Sequence, residues 1–196
     1  MGTRRLFTAV SPPDPQLTEL EDFLDASGIA ATGLRLVVPA KWHVTLSFMP
    51  AVTSEQFDAL QDQLTTLGSR TPPLELVLRG AGTFARSGAA TPIWIGVDGD
   101  LPALDALAAG SLAACHRSGI RVEASKNFRP HLTVSRHRPA DHGELWLEKL
   151  DGFRGTPWIS TEMLLIESIL GGHRQPATYT AVNQYPLTGH DLTRSR

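Results

Sequence analysis

The sequence predicts an α+β fold with antiparallel sheets that helices cover on the outside, arranged as two similar lobes across a central cleft. Two observations carry this prediction. Runs of two or three strand-like segments alternate with single helix-like segments along the 196 residues. In addition, the stripe HVTLSF at 43–48 returns 88 residues later as HLTVSR at 131–136, which indicates an internal duplication. We therefore expect one bilobal domain over residues 1–190 and a frayed tail at 191–196.

The first half of the chain alternates strands and helices. Its predicted strands lie at 6–10, 34–38, 43–48 and 74–80. Asp14 and Pro15 predict a helix start, and Gly28 predicts the end of that helix. Thr53 and Gln56 form a capping-box pattern at the start of a second helix.

The second half of the chain repeats this alternation. Its predicted strands lie at 92–97, 131–136, 162–170 and 177–187, the last two as a hairpin. Asp100 and Pro102 predict the start of a third helix, and Gly119 lies near its expected end. The polar stretch 137–157 is predicted to be a surface loop.

Composition places the chain among ordinary globular proteins, with 41% hydrophobic and 19% charged residues. Cys115 is the only cysteine, so no intrachain disulfide can form and a reducing compartment is favoured. No apolar run approaches the length of a membrane span, and the N-terminal apolar stretch is too short for a signal peptide. We therefore expect a cytoplasmic monomer without a membrane partner.

Charge is unevenly distributed around the two stripes. The net charge of −2 argues against a protein that grips long nucleic acid through a basic face. Residues 26–54 and 124–140 nevertheless contain no aspartate or glutamate, while Lys41, Arg129 and Arg136 lie within them. These windows indicate a small anionic ligand near both stripes, although acids that cluster on helices elsewhere would give the same pattern by chance.

Each stripe presents polar and apolar side chains on opposite faces of a strand. The polar sets are His43, Thr45 and Ser47 in the first stripe and His131, Thr133 and Ser135 in the second. A single histidine on a strand is more often structural than catalytic. The repetition of imidazole and hydroxyl groups at the same spacing indicates one shared functional site instead.

Acid–base catalysis fits the paired histidines better than metal binding or a serine hydrolase. A zinc site needs three or four protein ligands, and the chain has one cysteine, no HExxH and no carboxylate in either window. We therefore expect neither a metal nor a cofactor. A GxSxG elbow is also missing. Because imidazole titrates near neutral pH, one histidine can accept a proton from a nucleophile while the other protonates a leaving group, across a phosphate held by Thr45 and Thr133.

These residues resemble the two-histidine phosphoesterase superfamily and, more narrowly, the bacterial RNA 2′,3′-cyclic phosphodiesterases, which are also called 2′-5′ RNA ligases. The matching segments are RRLFTAV (4–10), HVTLSF (43–48), WIGV (94–97), FRPHLTVSR (128–136) and LLIESILGG to YTAVNQYPL (164–187). The resemblance implies a bilobal fold with pseudo-twofold symmetry. It also implies metal-free hydrolysis of RNA 2′,3′-cyclic phosphate ends to 2′-phosphomonoesters, with weak 2′-5′ ligation in some relatives.

The resemblance further implies roles for single residues. His43 would be the general acid and His131 the base, although the near-identical motifs leave this order open. Thr45 and Thr133 would bind the phosphate. Arg136 closes the second motif, but its parity is opposite to that of His131, so it can contribute only if the strand ends or bulges there.

Three other side chains have two interpretations each. Phe128 stacks on a terminal base or belongs to the core, whereas Lys41 and Arg129 steer the RNA end or are only solvated. The substrate also stays open, since another cyclic nucleotide or a 2′-5′ oligonucleotide suits the same chemistry. A module that binds RNA ends without turnover is the alternative from a different class, but it has no need of imidazoles that titrate near neutral pH.

Overall fold

The structure, a computed structural model, describes residues 2–29, 34–84, 91–122, 128–137, 143–172 and 177–190. The strands are β1 Arg4–Val10, β2 Val44–Val52, β3 Leu74–Thr83, β4 Thr91–Gly99, β5 His131–His137, β6 Trp158–Ser160, β7 Glu162–Ile169 and β8 Thr178–Pro186. The helices are α1 Asp14–Ala26, α2 Ser54–Arg70, α3 Leu101–Arg117 and α4 Gly143–Asp151. The expected tail at 191–196 lies outside the described residues.

These strands form one antiparallel sheet in the order β6-β3-β4-β5-β2-β1-β7-β8, which confirms the predicted α+β class. We call β2-β1-β7-β8 the His43 half and β6-β3-β4-β5 the His131 half. The halves meet through one residue pair, Val44 of β2 opposite Leu132 of β5. The two sheets predicted from the sequence are therefore continuous with each other at the strands that carry the motifs.

Each half contains the same unit, a strand, a helix and an antiparallel strand. The units are β1-α1-β2 and β4-α3-β5, and the helix of each unit packs on the other half. In α3, Ser111 Oγ lies 2.7 Å from Thr8 Oγ1 of β1. In α1, the ring of Phe23 lies 4.9 Å from that of Phe153, whose carbonyl accepts from the N–H of Gly80 in β3. The exchanged helices tie the two halves together.

The main core lies between the sheet and these helices. Leu6 and Val10 of β1 point into it. Phe7 and Ala9 alternate with them and form a small second cluster with Ile166 on the opposite face. We call this opposite face the cleft face.

The helix ends follow the sequence signals in part. Thr53 and Gln56 form the predicted capping box, with Thr53 Oγ1 accepting from the Gln56 N–H at 3.3 Å. Gly28 ends α1 with a φ of 65°, as predicted. The expected cap at Asp14 was wrong by one residue, because Pro13 occupies the N-cap and Asp14 is already helical.

Two segments differ from the prediction. Residues 34–38 make only an isolated bridge, Leu36 to Ser135, instead of a strand. Within the polar stretch 137–157, α4 buries Trp146 and Leu150 against the main core, so the surface-loop prediction was wrong there. Polar residues on the outer face of α4 hide its apolar face from a composition argument. None of the helices in the described ranges is long and apolar enough to cross a membrane.

Candidate active site

The first histidine motif is built around a β-bulge in β2. Thr45 pairs with Ala9 of β1, but Ser47 pairs with Thr8, so Leu46 is an extra residue that has no partner of its own in β1. Since Ala9 lies on the cleft face, its cross-strand partner Thr45 lies there as well.

The second motif has the same bulge at the same position. In β5, Thr133 pairs with Trp94 of β4 and Ser135 pairs with Ile93, which leaves Val134 as the extra residue. The duplication therefore extends to an irregularity of the backbone, because each histidine strand gains one residue directly after its threonine.

Both bulges interrupt the side-chain alternation. Ser47 turns to the helix side, where its Oγ lies 2.9 Å from Thr8 Oγ1 and 2.7 Å from Ser111 Oγ. Ser135 is fully buried and donates a hydrogen bond to the carbonyl of Arg35 at 2.8 Å. The polar face predicted for each stripe therefore ends at the threonine, and both serines serve packing.

The two imidazoles are held in the same way. The Nδ1–H of His43 donates to the carbonyl of Lys41 at 2.8 Å, and that of His131 donates to the carbonyl of Arg129 at 2.7 Å. A carbonyl only accepts, so the proton on Nδ1 is fixed in both rings. Nε2 is therefore the nitrogen that each histidine can use for proton transfer.

Aromatic rings and positive charge surround His43. Its ring centroid lies 4.6 Å from that of Phe7 and 5.5 Å from that of Tyr179. The pKa of His43 is lowered to about 4, mainly by burial and also by the charges of Arg136 and His131, against the hydrogen bond to Lys41, which raises it. The ring is therefore neutral at pH 7 in the free protein.

His131 has a different aromatic wall. Its ring lies 4.9 Å from that of Phe84 and 6.0 Å from that of Trp94. Burial lowers its pKa, and the charge of Arg129 acts in the same direction. A Cβ on Gly82 would lie 2.1 Å from the Trp94 indole, so this position requires a glycine to leave room for the indole.

Arg136 returns to the cleft face because of the bulge at Val134. Its Nη2 donates to the hydroxyl of Tyr179 at 3.1 Å, and its charge acts on His43, in the other half of the sheet. The condition set by the sequence, a bulge before Arg136, is met. Its part in substrate binding stays a prediction.

The other predicted site residues separate into two groups. Lys41 Nζ donates to the carbonyl of Ala177 at 2.7 Å and lies 5.9 Å from the Tyr179 ring. The guanidinium of Arg129 lies 4.7 Å from the Trp94 ring. Both cations therefore lie beside the histidines. Phe128 is half-buried against the main core, as expected of a packing residue, and its role in base stacking stays a prediction.

The junction of the two halves brings the motifs together. His43 precedes Val44 and His131 precedes Leu132, the one pair through which β2 and β5 meet. The charge of His131 lowers the pKa of His43, so the two rings are close enough to form one site. Among the described residues, no group of three or more His, Cys, Asp or Glu side chains is arranged to hold a metal ion.

The aromatic walls were missed by reasoning from the motifs. Phe7, Phe84 and Trp94 come from predicted strands or loops with no local pattern that sets them apart from core residues. Tyr179 belongs to the predicted hairpin and pairs with Ser168 across β7 and β8, but nothing in the hairpin sequence indicates that its ring contacts His43. Only the sheet order brings β8 and β1 to this histidine.

Comparisons with known proteins show which family the chain resembles, and the family model covers both motifs. The family model of the 2′-5′ RNA ligase superfamily matches residues 11–168. The chain is 30% identical over 135 residues to an RNA 2′,3′-cyclic phosphodiesterase of Archaeoglobus fulgidus, which is 67% of this chain and 72% of that protein. It is 29% identical over 156 residues to one of Aquifex aeolicus, with 78% and 81% covered. The structure of E. coli LigT complexed with 3′-AMP superposes with a TM-score of 0.76 at 25% identity, over 95% of this chain and 99% of that one.

Proposed function

The chain belongs to the 2′-5′ RNA ligase superfamily, and we propose that it hydrolyses RNA 2′,3′-cyclic phosphate ends to 2′-phosphomonoesters. One observation carries the proposal. Two imidazoles lie at the junction of the sheet halves, each with Nδ1 bonded to a backbone carbonyl and Nε2 available. The relatives from Archaeoglobus and Aquifex are named RNA 2′,3′-cyclic phosphodiesterases, which supports the same substrate here.

We assign His131 as the general base and His43 as the general acid. His131 Nε2 takes a proton from water as the water oxygen forms a bond to phosphorus. The bond from phosphorus to the 3′-oxygen breaks, and His43 Nε2 gives its proton to that oxygen. The product carries a 2′-phosphate, and both histidines return to their starting states by proton exchange with solvent.

The low pKa of His43 in the free protein is compatible with its role as an acid. Burial disfavours its imidazolium form, and the positive charge of Arg136 acts in the same direction. A bound cyclic phosphate brings one negative charge to the ring, and an opposite charge at this distance raises the pKa. Substrate binding therefore favours the protonated form of His43, which is the form that a general acid needs.

Thr45 and Thr133 complete the proposed site from both halves. Each lies two residues after a histidine and directly before the bulge. Their hydroxyls donate to the non-bridging phosphate oxygens, and Arg136, with Lys41 and Arg129 nearby, offsets the growing negative charge. Because two histidines supply both proton transfers, the proposed reaction uses no metal.

A direct assay tests this function. The purified protein is incubated in EDTA with a short RNA that ends in a 2′,3′-cyclic phosphate, and the 2′- and 3′-phosphate products are separated. We expect conversion to the 2′-phosphate. Formation of the 3′-phosphate would overturn the assigned leaving group, and loss of activity in EDTA would overturn metal-free chemistry.

The same assay addresses the alternatives. Turnover of another cyclic nucleotide or a 2′-5′ oligonucleotide in place of RNA ends would retain the chemistry and change the substrate. RNA binding without any turnover would indicate an end-binding module. We also propose that the protein acts as a cytoplasmic monomer and that weak 2′-5′ ligation accompanies hydrolysis, to be checked by fractionation, light scattering and ligation of RNA ends.

A further inference from the structure

The position three residues after each threonine lies on the cleft face because of the bulges. In the His131 half this residue is Arg136, which contacts Tyr179. In the His43 half it is Phe48, which pairs with Phe7 across β1 and β2. Since Phe7 contacts the His43 ring, its cross-strand partner lies on the same face as the catalytic site. The duplicated position therefore carries a cation in one half and an aromatic ring in the other.

Phe48 is 36% exposed and borders a groove of about 870 Å³. The groove is lined by Phe48, Pro50, His116, Gly119, Ile120, Arg121 and Val122. The guanidinium of Arg5 lies 4.4 Å from the centre of the Phe48 ring. None of the described residues that line the groove is acidic.

An exposed aromatic ring beside basic side chains is the combination that binds single-stranded RNA. Bases stack on the exposed aromatic rings, and the basic groups bind the phosphates that link these bases. A single exposed apolar side chain is ordinary on a protein surface. Phe48 differs because it continues the catalytic face, lies beneath Arg5 and faces a groove that also contains Arg121.

We propose that this groove binds the nucleotide on the 5′ side of the terminal one, with its base stacked on Phe48. Arg121, which also lines the groove, then supplies a positive charge for a phosphate of the same strand. The inference rests on the proposed function, since the cyclic phosphate must occupy the two-histidine site. Thr45 and Phe48 are three residues apart, roughly 10 Å at about 3.3 Å per residue, which is a distance that a neighbouring nucleotide of the same strand covers.

The asymmetry of the duplicated position gives the strand a direction. Two equal halves would accept the RNA end in either orientation. With Arg136 near His43 and Phe48 beside the groove, the phosphate and the upstream base have different partners. The preferred substrate is therefore an oligonucleotide end rather than a cyclic mononucleotide.

The test compares kcat/KM for a cyclic mononucleotide, a dinucleotide and a trinucleotide that all end in 2′,3′-cyclic phosphate. In the parent protein we expect kcat/KM to rise from mononucleotide to dinucleotide. In Phe48→Ala, the ratio of dinucleotide to mononucleotide kcat/KM should fall about tenfold, the size of one base-stacking interaction. Phe48→Trp should restore the ratio because it keeps an aromatic face.

Two controls separate stacking from folding. Ile159→Ala removes another exposed apolar side chain, on the edge strand β6, and should leave the ratio unchanged. Thermal unfolding checks that Phe48→Ala is folded. An equal drop of kcat/KM for both substrates in Phe48→Ala, or no preference for length in the parent, would overturn the proposal.

A binding measurement keeps this inference apart from the proposed function. An uncleavable RNA with a 2′-deoxy, 3′-phosphate end carries 2-aminopurine as its penultimate base. Stacking on Phe48 should quench its fluorescence, and Phe48→Ala should remove that quenching. If the parent protein hydrolyses none of the substrates, the proposed function fails, while quenching still shows whether a base stacks on Phe48. Hydrolysis with no quenching in the parent overturns the groove alone.

Discussion

In the His43 half and in the His131 half, a bulged strand places a histidine and a threonine on the cleft face. Each imidazole donates from Nδ1 to the carbonyl two residues earlier. That earlier residue is also a cation beside an aromatic ring in both halves, Lys41 near Tyr179 and Arg129 over Trp94. The backbone of the duplicated unit thus holds both imidazoles in the same geometry.

The surroundings of the two histidines differ where side chains come from elements outside that unit. Tyr179 comes from β8 and contacts His43, whereas Phe84 follows β3 and contacts His131. The bulges are also held differently. A cluster of hydroxyls around Ser47 holds the first, and the bond from Ser135 to the carbonyl of Arg35 holds the second. Duplication supplies two equivalent histidines, and their neighbours give them different surroundings.

The largest effect should come from removing either imidazole. His43→Ala and His131→Ala should each lower kcat by roughly 10²–10⁴-fold, since each removes one proton transfer. The double variant should lose less than the product of both losses, because the pair acts as a unit. His190→Ala, an exposed histidine outside the site, is the matched control. Activity that survives either substitution would remove that histidine from the mechanism.

The threonines should give the next largest effect. Thr45→Val and Thr133→Val keep the side-chain shape and remove a hydroxyl bonded to charged phosphate, at roughly 1.5–3 kcal/mol each. Turnover should therefore fall about 10- to 150-fold in each half, and Thr→Ser should recover much of it. A loss in only one half would show that the phosphate is held asymmetrically.

Acid stability should reflect the burial of His43. Its pKa is about 4 in the folded protein and about 6.5 when unfolded, so the unfolded state binds more protons between these values. This contribution to the free energy of unfolding is present above pH 6.5 and is lost as the pH falls towards 4. Between pH 7.5 and 5 we expect a decrease of about 1–2 kcal/mol in urea unfolding, and a smaller one in His43→Gln. Equal pH dependence in both proteins would exclude His43 as the cause.

The smallest effects should show which cation acts on which histidine. Arg136→Gln should raise the pKa of His43, because a positive charge that lowers it is removed. Arg129→Gln should raise the pKa of His131 for the same reason. NMR titration of the imidazole protons measures both. A change at the other histidine in either variant would contradict the assigned pairs.

Local sequence patterns predicted most of the helices and strands and the two motifs of the candidate site. The alternation of polar and apolar residues predicts His43, Thr45, His131 and Thr133 as site residues, because this pattern needs only a regular strand. The capping box at Thr53 is equally local, since its hydrogen bonds join residues three apart. The repetition of the histidine motif predicted a shared site, and the alternation of strands and helices predicted the α+β class.

The tertiary structure decided what lies beyond each threonine. Alternation predicts a face only while a strand keeps its register, and one bulged residue reverses it. The bulge moves Ser135 into the interior and Arg136 to the cleft face. Its position depends on pairing with β4, which the sequence of β5 alone does not encode. The aromatic walls and the junction at Val44 and Leu132 depend in the same way on contacts between residues far apart in the chain.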